Sequence, residues 1–238
     1  MTGTAKLAAF LLRETGLRVT SLVRVAQRSH TVNYRAVVED GRMLLVKLAP
    51  QRSRLAAVDH PLAVHDLFPG RTLVFHKRRV FCLDWKAGRP KTLAALSAKA
   101  VRRLVEAYGS FRAALGDGRI HGDLNCNNVL FSGGKVSGFL DLEEVRAGSP
   151  CEDWVRYALT GAEHLPVFSW IRRRRLMANF LRIVSATGYP AVEWRAAIDG
   201  FAAAKYARKA RRGKLSLLAR ANLAWRSRFY ERLKREVG

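Results

Sequence analysis

The chain is short of acids. It carries 43 Lys and Arg against 19 Asp and Glu in 238 residues, a formal net charge of +24. Such an excess bears on association with anions rather than on fold. Cysteine is scarce too: Cys82, Cys126 and Cys151 are the only three, and they lie far apart. An odd, sparse set argues against a disulfide framework, forms no Cys-x-x-Cys zinc pair and fits a reducing cytoplasm. Long hydrophobic runs are missing, and none approaches the roughly 20 apolar residues that a membrane-spanning helix needs. Leu7 to Leu12 is apolar, but Arg13 and Glu14 follow at once without a cleavage site, which argues against a signal peptide. There is no internal repeat and no low-complexity linker.

Hydrophobic residues make up 49% of the chain, enough for a real core. From Pro90 onward the pattern is mostly helical. Thr92 to Leu115, Ser169 to Thr187 and Ala191 to Val237 repeat apolar residues at three- and four-residue spacing, as in Leu104, Tyr108, Phe111 and Leu115. Such stripes are core faces rather than cofactor boxes.

One stretch stands apart. Ile120-His121-Gly122-Asp123-Leu124-Asn125-Cys126-Asn127-Asn128-Val129-Leu130-Phe131 is followed, after the turn Ser132-Gly133-Gly134-Lys135, by Phe139-Leu140-Asp141-Leu142-Glu143. Asp123 and Asn128 flank a loop, and Asp141 follows an apolar run that reads as a short strand. Phosphoryl transfer needs little covalent chemistry from a protein; it needs positioning and neutralisation of charge on the phosphate oxygens. One carboxylate to take the acceptor's proton, plus an amide oxygen and a second carboxylate for Mg²⁺, meets that need. The plain alternative is a polar hairpin loop rich in turn-forming Asn and Gly.

The His-x-Asp-x-x-x-x-Asn loop resembles that of the protein-kinase-like fold. Gly122 in place of Arg, and Asp141-Leu142-Glu143 in place of Asp-Phe-Gly, are similar to its small-molecule branch of aminoglycoside phosphotransferases and choline kinases. His121 to Asn125 also resembles the lipopolysaccharide sugar kinases. The resemblance implies an α+β, two-lobed fold: a small antiparallel sheet with a helix in residues 1–86, and a mostly helical lobe with the catalytic loop in residues 87–238. It implies that ATP and Mg²⁺ are used, that Asp123 is the catalytic base and that Asn128 and Asp141 hold metal. His121 then props the loop. In Gly148-Ser149-Pro150-Cys151-Glu152-Asp153-Trp154, Asp153 takes the place of an Asp that braces the next helix. The absent Asp-Phe-Gly and Ala-Pro-Glu signatures disfavour a protein kinase.

The N-terminal half fits a covering sheet. Arg18 to Val25 is β-branched, and Tyr34 to Val38 and Met43 to Leu48 are joined by Glu39-Asp40-Gly41-Arg42, where Asp-Gly signals a hairpin. Leu73 to Phe75 and Val80 to Leu83 read as two more strands around the basic turn His76 to Arg79, with Asp84 to Gly88 as a hinge. Trp85 there reads equally as a stacking ring for adenine or as packing. By the resemblance, Lys47 near the end of the third strand contacts the α- and β-phosphates; the alternative is a solvent-facing strand lysine. Two features depart from the family pattern. Ala26 to Asn33 contains no Gly where a phosphate loop belongs. The segment Gln51 to Phe68 has only Asp59 and Asp66, and no Glu, to pair with Lys47.

Charge bears on the acceptor. After Asp153 the acids are only Glu163, Glu193, Asp199, Glu231 and Glu236. A cationic drug or amine is therefore disfavoured. An anionic or neutral hydroxyl acceptor fits better, such as a sugar of lipopolysaccharide core or another glycolipid. Arg172 to Arg175, Lys205 to Lys214 and the C-terminal basic stretch with interleaved Leu, Trp and Phe read as a surface for anionic lipid or another polyanion, or as an ordinary solvated face. That expectation places the protein in the cytoplasm, at the inner face of the membrane. A kinase-like scaffold that binds nucleic acid or membrane with little catalysis is the competing expectation.

Overall fold

The computed structural model describes residues 3–28, 31–48, 72–75, 80–163, 169–210 and 217–237. The chain divides into two compact units, Met1–Lys86 and Ala87–Gly238. Ser29 and His30, Asp59 and Asp66, the turn 76–79 and the basic residues 211–214 lie outside the described residues.

The first unit pairs one helix with one sheet. Helix α1 (Gly3–Thr15) precedes strands β1 (Val19–Arg28), β2 (Thr31–Val38), β3 (Met43–Leu48), β4 (Thr72–Phe75) and β5 (Val80–Asp84). The order is β1-β2-β3-β5-β4, and every pairing is antiparallel. The period-two pattern of Leu44 and Val46 turns those side chains to one face, where they join Ala36, Val38 and Cys82. Leu7 and Leu11 of α1 cover that face. Fully burying a leucine is worth roughly 1.5–3 kcal/mol, so these two side chains, with the partly buried Phe10 beside them, hold the helix on the sheet. Within the apolar run Leu7 to Leu12, only Leu7 and Leu11, four residues apart, form the buried face, and Leu12 is exposed. At the β2–β3 hairpin the Asp40 carboxylate accepts from the Arg42 backbone N–H at 3.0 Å and from its Nε at 2.7 Å.

The second unit holds the remaining helices. In chain order it contains β6 (Arg89–Pro90), α2 (Ala98–Leu115), β7 (Arg119–Ile120), β8 (Val129–Ser132), β9 (Lys135–Phe139), β10 (Arg146–Ala147), α3 (Pro150–Glu163), α4 (Trp170–Thr187), α5 (Ala191–Ala210) and α6 (Leu217–Glu236). The expected stripe Leu104, Tyr108, Phe111 and Leu115 is buried on α2. Trp154, Tyr157, Phe180, Ile183 and Trp194 fill the core where α3, α4 and α5 meet. Among the described residues no helix is long and apolar enough to cross a membrane.

Two helical expectations are corrected. Helix α2 starts at Ala98 and not at Thr92. Ser97 is extended and its side chain accepts from Ala100 N–H, an N-cap that stops propagation backwards, and Leu93–Ala95 form only a 3₁₀ turn. Ala191 to Val237 is two helices, α5 and α6, because one apolar stripe cannot say where a chain turns back.

Candidate active site

The motif loop runs from β7 to β8 and is anchored at both ends. Before it, β7 pairs with β10, Ile120 opposite Arg146. After it, β8 pairs with β9 through the two-residue turn Gly133-Gly134, both at positive φ, as a tight hairpin turn requires. Gly122 has φ +77, and a Cβ there would lie 1.9 Å from the Glu144 carbonyl oxygen. That close approach explains why Gly occupies the position.

Helix α3 fastens the loop. Ser149-Pro150-Cys151-Glu152 is a capping box: Glu152 Oε1 accepts from Ser149 N–H at 3.2 Å, Ser149 Oγ accepts from Cys151 N–H at 3.3 Å, and Pro150 is the first helical residue. This start puts Asp153 in the first turn, where the helix dipole favours a carboxylate. Asp153 is 1% exposed. Its Oδ2 accepts from Tyr108 OH at 2.6 Å and His121 N–H at 2.7 Å, and its Oδ1 accepts from Gly122 N–H at 2.9 Å. Asp153 therefore braces the loop, whereas the resemblance led us to expect a brace for its own helix. Burial, with the Asp153 charge beside it, pushes the Tyr108 hydroxyl far above the usual phenol value, so it remains a donor.

His121 is fully buried. Its Nδ1 accepts from Asp123 N–H at 3.3 Å, so Nε2 carries the proton and donates to the Leu140 carbonyl at 2.8 Å. Both ring nitrogens are spent on backbone, and the imidazole ties the loop to the segment that carries Asp141. The expected prop is what the ring does.

Asp123, Asn128 and Asp141 are brought together by these supports. Asn128 is 1% exposed. Its Nδ2 donates to the Asp123 carbonyl at 2.9 Å and to Asp123 Oδ2 at 3.2 Å. Both partners are acceptors, so the amide orientation follows from chemistry. Its Oδ1 is then buried with no hydrogen-bond partner among the described residues. The Asn128 carbonyl accepts from Leu140 N–H at 2.8 Å, which continues the β8–β9 ladder and sets Asp141 beside Asn128. Asp141 is the only non-Gly residue at positive φ among the described residues, φ 57 and ψ 61. Left-handed backbone costs roughly 1–2 kcal/mol for an L-residue, least for Asp and Asn, and such strain collects at functional sites.

Two neighbours were not anticipated. Asn125 Nδ2 donates to Asp123 Oδ2 at 3.0 Å. Arg156 Nη1 donates to Asp123 Oδ1 at 3.0 Å, with the two side chains 33% and 35% exposed. Three donors occupy a carboxylate that has about four lone-pair sites, which leaves one for a ligand. The signal for Arg156 was spacing: it follows Asp153 by three residues, so it lies on the same face of α3.

Lys47 belongs to the first unit. It lies on β3 opposite Asn33 of β2 and Phe81 of β5 and is 4% exposed, so it is not a solvent-facing strand lysine. Trp85 is half-buried, and its N–H donates to the Met43 carbonyl at 3.0 Å.

The donor set fits Mg²⁺. A buried amide oxygen left without a donor, next to a strained carboxylate residue, offers two hard oxygen ligands. Among the described residues no group of three or more His, Cys, Asp or Glu could share a metal ion. Two protein oxygens with phosphate and water completing the shell is the arrangement Mg²⁺ takes in nucleotide enzymes.

No curated protein sequence matches the chain. Several solved structures share its fold. Macrolide 2'-phosphotransferase MphH from Brachybacterium faecium is 15% identical with a TM-score of 0.56, covering 98% of this chain and 97% of that one. Aminoglycoside phosphotransferase APH(4)-Ia is 12% identical with a TM-score of 0.50, covering 98% and 99%. A thermostable mutant of it, in ternary complex with AMP-PNP and hygromycin B, is 13% identical with a TM-score of 0.50, covering 97% and 98%. The pattern of the APH phosphotransferase enzyme family matches residues 12–194, more than half of the chain and the whole of the loop built above. This chain therefore belongs to that family, a phosphotransferase acting on a hydroxyl of a small molecule within the protein-kinase-like fold.

Proposed function

We propose that the protein is an ATP- and Mg²⁺-dependent kinase that moves the γ-phosphoryl group to a hydroxyl of an anionic glycan or glycolipid, a sugar of lipopolysaccharide core fitting best. The observation that carries the catalytic part is Asn128. Its Nδ2 holds Asp123 while its buried Oδ1 has no partner among the described residues, so one side chain links a proton acceptor to a cation ligand. Asp123 takes the proton of the acceptor hydroxyl. The freed oxygen bonds to the γ-phosphorus as the bond to the β–γ bridging oxygen breaks, and ADP leaves. Asn128 and Asp141 would hold the metal, and Lys47 would supply a cation for the α- and β-phosphates. Mg²⁺, when bound, neutralises phosphate charge that would otherwise repel the incoming oxygen.

Arg156 supports the anionic acceptor. Among the described residues one of its five N–H donors is used, on the carboxylate that must touch the acceptor, and the side chain is one-third exposed. A cationic acceptor would meet a like charge there, while a phosphate or carboxylate near the reacting hydroxyl would meet a fork built for it. A glycolipid acceptor and cellular ATP put the reaction on the cytoplasmic side, at the inner face of the membrane.

A thermal-shift titration with ATP and GTP, with and without Mg²⁺, run beside Asp141→Ala, tests the nucleotide site. A ligand that binds only the folded protein raises its apparent stability, by about 2.7 kcal/mol at a hundred times Kd. A Mg²⁺-dependent shift that Asp141→Ala loses is expected. An acceptor screen of lipopolysaccharide core sugars, neutral sugars and aminoglycosides then follows. A protein that melts cooperatively and shifts with neither nucleotide would overturn the reading.

A further inference from the structure

The basic run Arg172 to Arg175 has no part in the site above. It lies in the first turns of α4, where two features oppose it. Like charges at three-residue spacing repel, and the start of a helix is the wrong end for cations. Between α4 and α6 runs a groove of about 480 Å³. Met177, Leu181 and Phe229 give it an apolar lining, with Met177 and Phe229 buried. Arg174, Arg228 and Arg232 stand exposed along it, and Glu236, the one acidic lining residue among the described residues, is 3.5 Å from Arg232. Trp170 also lines it and is 61% exposed, and the adjoining Ile171 is 58% exposed. The Arg174 guanidinium lies 5.8 Å from the Trp170 ring centroid.

We propose that this groove and the Trp170–Ile171 tip are a docking surface for an anionic lipid bilayer. Charge complementarity selects an anion: arginines outnumber the acid, and that acid is already paired. The apolar tip selects the bilayer among anions. A tryptophan ring is suited to the headgroup level and an isoleucine to the acyl boundary, while arginine stems cover apolar surface with their heads on phosphate. Nucleic acid would satisfy the arginines and could stack on Trp170, but it offers Ile171 nothing. The inference stands apart from the kinase reading, since it uses none of the same residues.

The test is sedimentation of the full chain with phosphatidylcholine vesicles, with and without phosphatidylglycerol, beside gel retardation with duplex RNA. Arg174→Gln/Arg228→Gln is compared with Arg102→Gln/Arg119→Gln, which removes the same charge from exposed positions outside the groove. The groove pair is expected to weaken binding to anionic vesicles by about tenfold or more, and the control pair by much less, since each basic side chain near an anionic surface counts for roughly a factor of five. Trp170→Ala/Ile171→Ala is expected to lose vesicle binding and keep RNA binding. Its residues are exposed, so folding is not at issue, and an unchanged melting curve checks that. Equal losses in the groove and control pairs would reduce the effect to net charge and overturn the proposal. Parallel loss of vesicle and RNA binding in the tip variant would make the groove a polyanion site instead. Wild-type protein that ignores anionic vesicles would also overturn it.

Discussion

Arg156 donates through Nη1 to Oδ1 of Asp123 at 3.0 Å, across 33 residues of chain. The pair is part-buried, and as a mere surface ion pair it would be worth about 0–1 kcal/mol. Its place on the proposed base gives it a different consequence. Arg156→Ala is expected to lower kcat/KM for transfer by about ten- to a hundredfold, the range that loss of positioning costs. Nucleotide affinity, read by the thermal shift, is expected to stay within about twofold, because the contact is with the proposed base and not with the metal ligands. Arg156→Lys should recover only part, lacking the planar fork. Unchanged kcat and KM in Arg156→Ala would return the pair to the rank of a surface contact.

Asp123→Asn keeps the shape and removes the base. Transfer is expected to fall by about 10²–10⁴-fold, the usual worth of a general base, with Mg²⁺–nucleotide binding retained. Single-turnover assays beside equilibrium binding separate the two effects. A variant with full turnover would remove Asp123 from the mechanism.

Asp153→Asn should act through the fold. Its carboxylate accepts three hydrogen bonds in a site 1% exposed. An amide in its place turns an NH₂ toward N–H or O–H donors and leaves at least one group unsatisfied. The expected loss is about 2–4 kcal/mol, from charged hydrogen bonds and a stranded buried donor. Urea unfolding measures it. A loss below half a kcal/mol would show that the loop does not depend on this brace.

Two glycines at similar φ should respond differently. Gly122→Ala meets the Glu144 carbonyl as well as the backbone penalty, whereas Gly134→Ala finds only Arg103 Nη1, at 3.6 Å. Gly134→Ala is expected to cost about 1–2 kcal/mol, the left-handed backbone term alone. Gly122→Ala should cost more than that and abolish transfer, because the loop must shift. Equal melting temperatures for the two variants would contradict the close approach.

Alkali should weaken the fold through buried thiols. Burial pushes Cys82 up to about 12 and Cys151 to about 11, against an ordinary value of 9.0. Both groups stay protonated in the folded state while the unfolded thiols ionise. Their contribution is therefore intact below pH 9 and is lost as pH rises from there through about 11 and about 12. Melting temperature should fall across that window, and more shallowly in Cys82→Ala/Cys151→Ala. At pH 8 both thiols should resist a disulfide reagent until the protein unfolds.

Much of the architecture was legible. Strand β1 followed from its β-branched run, β2 and β3 from apolar runs joined by the Asp-Gly turn, and the α2 core face from its apolar spacing. The missing pieces were those whose partners lie far away in sequence. The cap that delays α2 is a single Ser hydrogen bond within a helical-looking stretch. The role of Leu7 and Leu11 depends on a sheet face assembled from residues 36–82.

The chemistry on offer is written in the order of the residues: a carboxylate, an amide and a second carboxylate at loop spacing, in a chain with a large surplus of positive charge. Spacing along a chain constrains local backbone, so the loop, its flanking strands and its Gly could be read directly. That Asp153 grips the loop emerges from the packing of distant segments. The same packing decided that Asn128 keeps a buried oxygen without a donor among the described residues and that Arg156 leans on Asp123. Those outcomes depend on which buried donors and acceptors are left over once the core has packed. That balance is struck between segments dozens of residues apart, and no local pattern contains it.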